Sequence, residues 1–352
     1  MSMEKAIVMS GIRPTGYLHL GNYFGAMRNY VKLQDEYSCY FMVADLHALT
    51  THPDTKELKS NVHRVIAENI ACGIDPDKAA LYCQSHIKET SELYLYLNML
   101  AYLGELEKTT TFKEKARLHP ENINAGLLTY PVLQTADIIL HRATWVPVGK
   151  DQEQHLEMAR DIAQRFNHLF GQGREFFVLP EAVISEDVAT LPGLDGRKMS
   201  KSYGNTVPLF EGGAKALNSA IAKIVTDSRG PGEPKDADAS HLYLIYKAFA
   251  QPSETANFHA ELSAGMGWGD AKKRLCERIE QEMGPLRAHY EDLMSHSDRI
   301  EEILQEGARK ARAIATPFIH ELRQAVGLRS LATSRTASSS QPNKKEKASG
   351  KS

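Results

Sequence analysis

Lys198 and Lys201 stand three positions apart in the run Gly193-Leu194-Asp195-Gly196-Arg197-Lys198-Met199-Ser200-Lys201-Ser202. Ammonium groups interleaved with hydroxyls in a glycine-bearing loop suit a polyphosphate whose charge grows during reaction. An exposed basic loop has the same composition. Near the start, Ser10–Asn22 places Gly11, Pro14, Gly16 and Gly21 between an apolar run and a helical pattern. Backbone N–H groups and a helix N-terminus can receive phosphate there. Gly21 has no Cβ and admits a flat ring to the backbone. His19 and Asn22, at the helix start, can donate jointly to phosphate oxygens; on the plainer reading Asn22 is a cap.

Asp137 lies in the apolar stretch Tyr130–Leu140, where a buried carboxylate is costly unless a donor meets it. An indole N–H and a phenol hydroxyl both qualify, so Asp137 alone does not choose between them. Val146 and Val148, on alternate strand positions, face one side and offer an apolar wall. His47 either lines a cleft after its strand or is a satisfied structural histidine. His155 falls on a helix face and requires no function, Trp145 and Trp268 read as packing residues, and the remaining histidines lack metal-ligand spacing.

The elements that must hold these residues alternate. Ala6–Met9, Cys39–Ala44, Ala80–Cys83 and Trp145–Val148 read as strands, with helices over 22–33, 57–72 and 151–167. This predicts an α/β fold, a Rossmann-like parallel sheet with helices on both faces. A mostly helical stretch, about 90–141, reads as an insertion. After Val207 only helices are expected, over 213–225, 241–250, 271–294 and 299–326. The expected division is a catalytic domain over 1–206, an all-α C-terminal domain over 207–331 and a disordered basic tail over 332–352.

The 352 residues carry 42 Lys+Arg and 44 Asp+Glu, so bulk charge does not drive any nucleic-acid contact. The charge is unevenly placed. Residues 307–352 hold ten basic side chains against two acidic, a local +8, and the preceding residues carry −10. A limited basic surface of this kind fits RNA. Four dispersed cysteines support neither a metal site nor a disulfide framework. With no long apolar run, the expectation is a soluble cytoplasmic protein without membrane contact.

His19-Leu20-Gly21-Asn22 and Lys198-Met199-Ser200-Lys201-Ser202, in this order around strand–helix alternation, resemble the two signatures of class I aminoacyl-tRNA synthetases. Tyr130–Ile138, Val146–His155, Gly104-Glu105-Leu106 and Thr111–Lys115 narrow the resemblance to the bacterial tryptophanyl-tRNA synthetases, over nearly the whole chain to about Ser330. The resemblance implies ATP contacts at Arg13, Pro14, Thr15, Gly21, Asn22, Gly149, Lys150, Asp151, Val188, Lys198, Met199, Ser200, Lys201 and Ser202. It implies a tryptophan pocket formed by Asp137, Tyr130, Gln134, His47, Val146, Val148, Gln152 and Met9. Catalytic roles then fall to His19, Asn22, Lys115, Lys198 and Lys201.

Many members of that family carry Gln in place of Arg13, Thr in place of His19, Met in place of Gln134 and Glu in place of Lys150. Tyr130-x-x-x-Gln134-x-x-Asp137 also resembles the tyrosyl enzymes. The implied reaction is a two-step ligation in which L-tryptophan and Mg2+-bound ATP give tryptophanyl-adenylate and pyrophosphate, then tRNA(Trp) is charged. The metal is carried by ATP phosphates and not by protein ligands. A homodimer and a helical domain reading the anticodon region are implied as well. Alternatives are a tyrosine-specific synthetase, a small-molecule nucleotidyltransferase and a non-catalytic tRNA-binding paralogue.

Overall fold

The first apolar run continues beyond Met9, because Ser10 and Gly11 extend it into the ladder. β1 spans Ile7–Ile12 and pairs in parallel with β2, Ser38–Val43, from Ile7 opposite Ser38 to Ile12 opposite Val43. The computed structural model describes residues 5–51, 54–118, 120–149, 152–183 and 191–329. β3 (Ala80–Cys83), β4 (Trp145–Pro147) and β5 (Glu181–Val183) complete a parallel sheet of order β3-β2-β1-β4-β5. β5 escapes a sequence reading because three residues show no periodicity.

Helices fill the crossovers. Between β1 and β2 lie α1 (Leu20–Asn22), a π-helical turn over Tyr23–Met27 and α2 (Arg28–Glu36). α3 (Asp45–Ala48) and α4 (Thr55–Ala71) precede β3. The expected insertion comprises α5 (Lys88–Asn98), α6 (Leu103–Leu106), α7 (Thr110–Leu118) and α8 (Ala125–Leu140). α9 (Glu153–Phe170) joins β4 to β5. Then come α10 (Gly213–Ala222), α11 (His241–Phe249), α12 (Pro252–Ser263), α13 (Trp268–Ser295) and α14 (Ser297–Ala325). α12 was not expected from periodicity, but its start is marked: Pro252 occupies the first turn, and Glu254 Oε2 accepts from the Gln251 backbone N–H at 2.8 Å.

Strand alternation sorts the sheet into two cores. Val8, Phe41, Val43 and Leu81 face α4 and the helices α10–α13. Met9, Tyr40, Met42 and Tyr82 face α8, α9 and α14. The last helix therefore does not stay with the helical part in which the sequence set it. α14 gives Ile300 and Leu304 to the first core and Ala308, Ala311, Ala315 and Phe318 to the second. It covers the outer edge of β3, the protection that an exposed parallel edge needs. Arg312 and Thr316 fasten it to Glu89 of α5 at 3.1 and 2.6 Å.

The four cysteines are free thiols. Among the described residues no helix is long and apolar enough to cross a membrane. The expected tail, 332–352, lies outside the described residues.

Gly307 sets how closely α14 docks. A Cβ there would sit 1.8 Å from the Leu81 carbonyl oxygen. Gly307→Ala, which adds helix propensity elsewhere, should here destabilise the protein by about 1–3 kcal/mol through overpacking. Urea unfolding of the purified protein checks this; a stabilised variant would contradict the close approach.

Candidate active site

β1 has β2 on one side and β4 on the other, so the crossover from β1 to β2 and the crossover from β4 to β5 run in opposite directions. In a parallel sheet this reversal opens a crevice beyond the carboxyl ends of the strands. The crevice here is a cleft of about 510 Å³. Met9, Ser10 and Gly11 of β1, Met42 and Ala44 at the end of β2, Val146 and Pro147 of β4, and Val148 and Gly149 just after it form one side. α8 forms the other, where Tyr130, Gln134 and Asp137 share one helical face.

Asp137, 1% exposed, forms the floor. Gln84 Nε2 donates to both carboxylate oxygens at 2.9 and 2.8 Å, and His47 Nε2 donates to Oδ2 at 2.9 Å. Gln84 closes the ring by accepting from the His47 backbone N–H at 3.2 Å. The cost of burying a carboxylate is met inside the protein before any ligand arrives. His47 thus does both of the things open to it: it lines the cleft and is structurally satisfied.

The mouth is cationic. Arg13 and Lys115 both line it. Arg13 reaches the His47 carbonyl at 3.4 Å and Thr51 Oγ1 at 3.3 Å. Lys115 Nζ lies 4.5 Å from the centre of the Tyr130 ring, a cation–π contact. Burial lowers the pKa of Lys115, and repulsion from Arg13 lowers it further. Burial likewise lowers that of Arg13. Two crowded cations at a cleft mouth favour an anionic ligand.

Beside the cleft the two signature loops are sewn together. Leu20 N–H donates to Val207 O at 3.0 Å and Leu209 N–H to Leu18 O at 3.1 Å. Lys201 Nζ donates to Thr15 O at 2.6 Å and packs along Gly16, whose φ of +62° puts it in the left-handed region. The ring admitted by Gly21 is the chain's own His19: an added Cβ would lie 2.9 Å from His19 Nδ1 and 3.1 Å from Met199 Cβ. Burial, then repulsion from Lys201, pushes the His19 imidazole down to about 4, so it is neutral at pH 7. Asn22 is not the cap but the third helical residue: its Oδ1 accepts from the backbone N–H of the capping position, His19, at 3.0 Å. Asn205 organises the second loop by accepting from Ser200 N–H at 2.9 Å and donating to Asp195 at 2.7 Å and Lys198 O at 3.2 Å. The Lys198 side chain is exposed.

Arg13, Lys115 and the described pocket residues named from sequence thus converge on one cleft. His19, Gly21, Asn22, Met199 and Lys201 meet in an adjoining cluster tied to it through Arg13–Gly16. Lys150, Asp151 and Val188 lie outside the described residues, as does the side chain of Ser202. Gln84, Asn205 and His155 were missed. His155 lies on helix α9 as expected, but it is 2% exposed and bonded on both ring nitrogens, which the expectation of a residue without a role did not include. Gln84 carried one usable signal, its position immediately after β3, at the carboxyl end of a parallel strand.

The fold and cleft are those of a class I synthetase. The family profile described as "tRNA synthetases class I (W and Y)" matches residues 1–284, and the chain belongs to that family. A tryptophan–tRNA ligase of Bordetella parapertussis is 50% identical over 96% of this chain and 76% of its own length. That of Pseudomonas aeruginosa is 50% identical over 92% of this chain and 74% of its own. The crystal structure of Campylobacter jejuni tryptophanyl-tRNA synthetase complexed with ADP and tryptophan superposes with a TM-score of 0.87 at 39% identity, covering 92% of this chain and 100% of that one. The activity is that of a tryptophan–tRNA ligase.

Under the first signature loop, Glu68 is 0% exposed. Its Oε1 accepts from Leu18 N–H at 3.1 Å, and its Oε2 has no partner among the described residues. Burial pushes its carboxyl from 4.5 up to about 7, against the lowering effect of the Leu18 bond. Between those values the unfolded chain has released the proton and the folded chain has kept it. Stability from this group therefore falls as pH rises through that window and stays reduced above it. Glu68→Gln keeps an acceptor for Leu18, so its Tm relative to the parent should rise between pH 5 and pH 8. A difference independent of pH would refute the assignment.

Proposed function

We propose a division of labour within the cleft for tryptophan activation. The indole enters between Met9, Val146 and Val148, with its N–H directed to the Asp137 carboxylate held by His47 and Gln84. Tyr130, Gln134 and Gln152 receive the polar end of the amino acid. ATP lies across Arg13–Thr15, Gly21, Asn22 and Gly149 and under the loop Lys198–Ser202, with Lys150, Asp151 and Val188 completing its site. The observation that carries this reading is a buried, pre-paired carboxylate beneath an apolar wall, with crowded cations at the mouth. Apolar floor and cationic rim match an aromatic amino acid and a triphosphate.

The tryptophan carboxylate attacks the α-phosphorus in line, the bond to the bridging oxygen breaks, and pyrophosphate leaves. The ribose hydroxyl at the 3′ end of tRNA(Trp), the 2′-OH by class resemblance, then takes the aminoacyl group and releases AMP. Neither step needs a protein nucleophile. Positioning and charge stabilisation suffice, supplied by Lys115, Lys198 and Lys201 with His19 and Asn22 assisting. His19, being neutral, would contribute as a hydrogen-bonding group and not as a cation. Mg2+ enters as the ATP complex; the cationic lining around Arg13 and Lys115 suits phosphate oxygens, not a protein-ligated metal.

The helical part over 207–331 would meet the anticodon region, supported by the basic character of residues 307–352. A homodimer fits the exposed Met99 and Tyr102 in the turn between α5 and α6 and Leu103 at the start of α6, at 76, 54 and 59% exposure. Solvent-facing apolar side chains clustered in this way are usual at protein interfaces.

ATP–pyrophosphate exchange with each amino acid in turn tests the whole reading: tryptophan alone should drive it. Lys201→Ala should slow single-turnover activation by roughly 2–4 kcal/mol of barrier while tryptophan affinity changes little. An unchanged rate would remove Lys201 from the machinery. Asp137→Ala should weaken discrimination against phenylalanine, which has no N–H to pair. Undiminished rejection of phenylalanine would move recognition elsewhere.

A further inference from the structure

His155 sits behind the cleft wall and does not line the cleft. It joins three elements. Its Nε2 lies 2.9 Å from Thr111 Oγ1 of α7 and 3.0 Å from the Tyr130 hydroxyl of α8. Its Nδ1 lies 3.0 Å from Gln152 Oε1, at the start of its own helix α9. Thr111 and Tyr130 also bond to each other through their hydroxyls. The ring meets Tyr130 edge-on, with centroids 5.2 Å apart and planes at 86°. Tyr130 and Gln152, the groups His155 grips, line the cleft, and so does Thr111.

We propose that His155 is a positioning residue for amino-acid binding, acting through Tyr130 and Gln152. In its neutral form the ring has one proton for two nitrogens, so a donor at Nε2 requires an acceptor at Nδ1, and the reverse. The sense of the bond to the hydroxyl pair thereby dictates which end of the Gln152 amide turns toward the ring. Two polar groups on different helices then present a correlated pattern to the cleft. Burial at 2% exposure leaves water little part in this relay. Lys115, seated over the Tyr130 ring, is held in the same assembly, which connects the amino-acid wall to the cationic mouth.

This inference rests on the assignment of Tyr130 and Gln152 to tryptophan binding. The test is ATP–pyrophosphate exchange with the full-length protein, with KM for tryptophan, KM for ATP and kcat resolved separately. His155→Ala should raise the tryptophan KM about tenfold, a lost hydrogen bond's worth of ordering, and leave the ATP KM within about twofold. His155→Asn, which can face Gln152, and His155→Gln, which can reach the hydroxyl pair, should each recover part of the loss, and they serve if the alanine variant folds poorly. In a Gln152→Ala background the His155→Ala effect should shrink to about twofold, because the two act as one unit.

Equal increases in both KM values, or no recovery in either amide variant, would reduce His155 to a structural residue and overturn the proposal. So would a full effect persisting without Gln152. Gln152→Ala alone reports on the underlying assignment: an unchanged tryptophan KM there defeats that assignment, and the proposal with it, whatever His155 does.

Discussion

Parallel strands all point their carboxyl ends one way, and β1 has neighbours on both sides. That constraint determines where everything else can happen. Chain leaving β1 must pass into α1 on one side of the crevice, while β4 delivers Val146–Gly149 to the other. No side chain has to create the opening; backbone direction and strand order do so. The side chains decide only what the opening accepts. Apolar groups from β1, β2 and β4 lie deep within it, and Arg13 and Lys115 lie at its mouth.

Within that crevice two kinds of order coexist. Asp137, Gln84 and His47 form a closed and buried ring whose partners are all protein groups. A recognition group held in this way loses little freedom when a ligand arrives, which favours binding. The signature loops are tied by backbone bonds at Leu18–Leu20 and Val207–Leu209, yet Lys198 projects into solvent. Rigid anchoring at the base with the exposed Lys198 side chain above suits a loop whose cations must meet charge that develops only during reaction. His19, neutral and packed on Gly21, belongs to the base.

The sequence made the alternation and the sheet legible because both rest on local periodicity, whereas the grouping of Arg13, Asp137, Val146 and Val148 in one site came from the family resemblance and not from any local pattern. Other features were invisible for physical reasons. β5 is too short for a period, and α12 has its cap signal without a strong apolar stripe. His155 on an amphipathic helix looks like any polar residue until α7 and α8 bury it. Asn205 is seven positions past Lys198, and its role arises only when the loop folds back on itself. The return of α14 to β3 is a long-range contact, and its one local hint, Gly307 within a helix, has many explanations until Leu81 is seen beside it.

That return has a consequence for how the molecule is made. The sheet is encoded within the first 183 residues, but the outer edge of β3 is covered by a helix starting at Ser297. During synthesis, therefore, the nascent sheet emerges with an unprotected parallel edge and an incomplete second core. Closure waits for more than a hundred further residues, because the contacts between β3 and α14 join segments from the first quarter and the end of the chain. Over that interval the exposed backbone of β3 is the part of the molecule most open to pairing with another chain. The sheet thus gains its last edge cover and the rest of its second core only from the end of the chain.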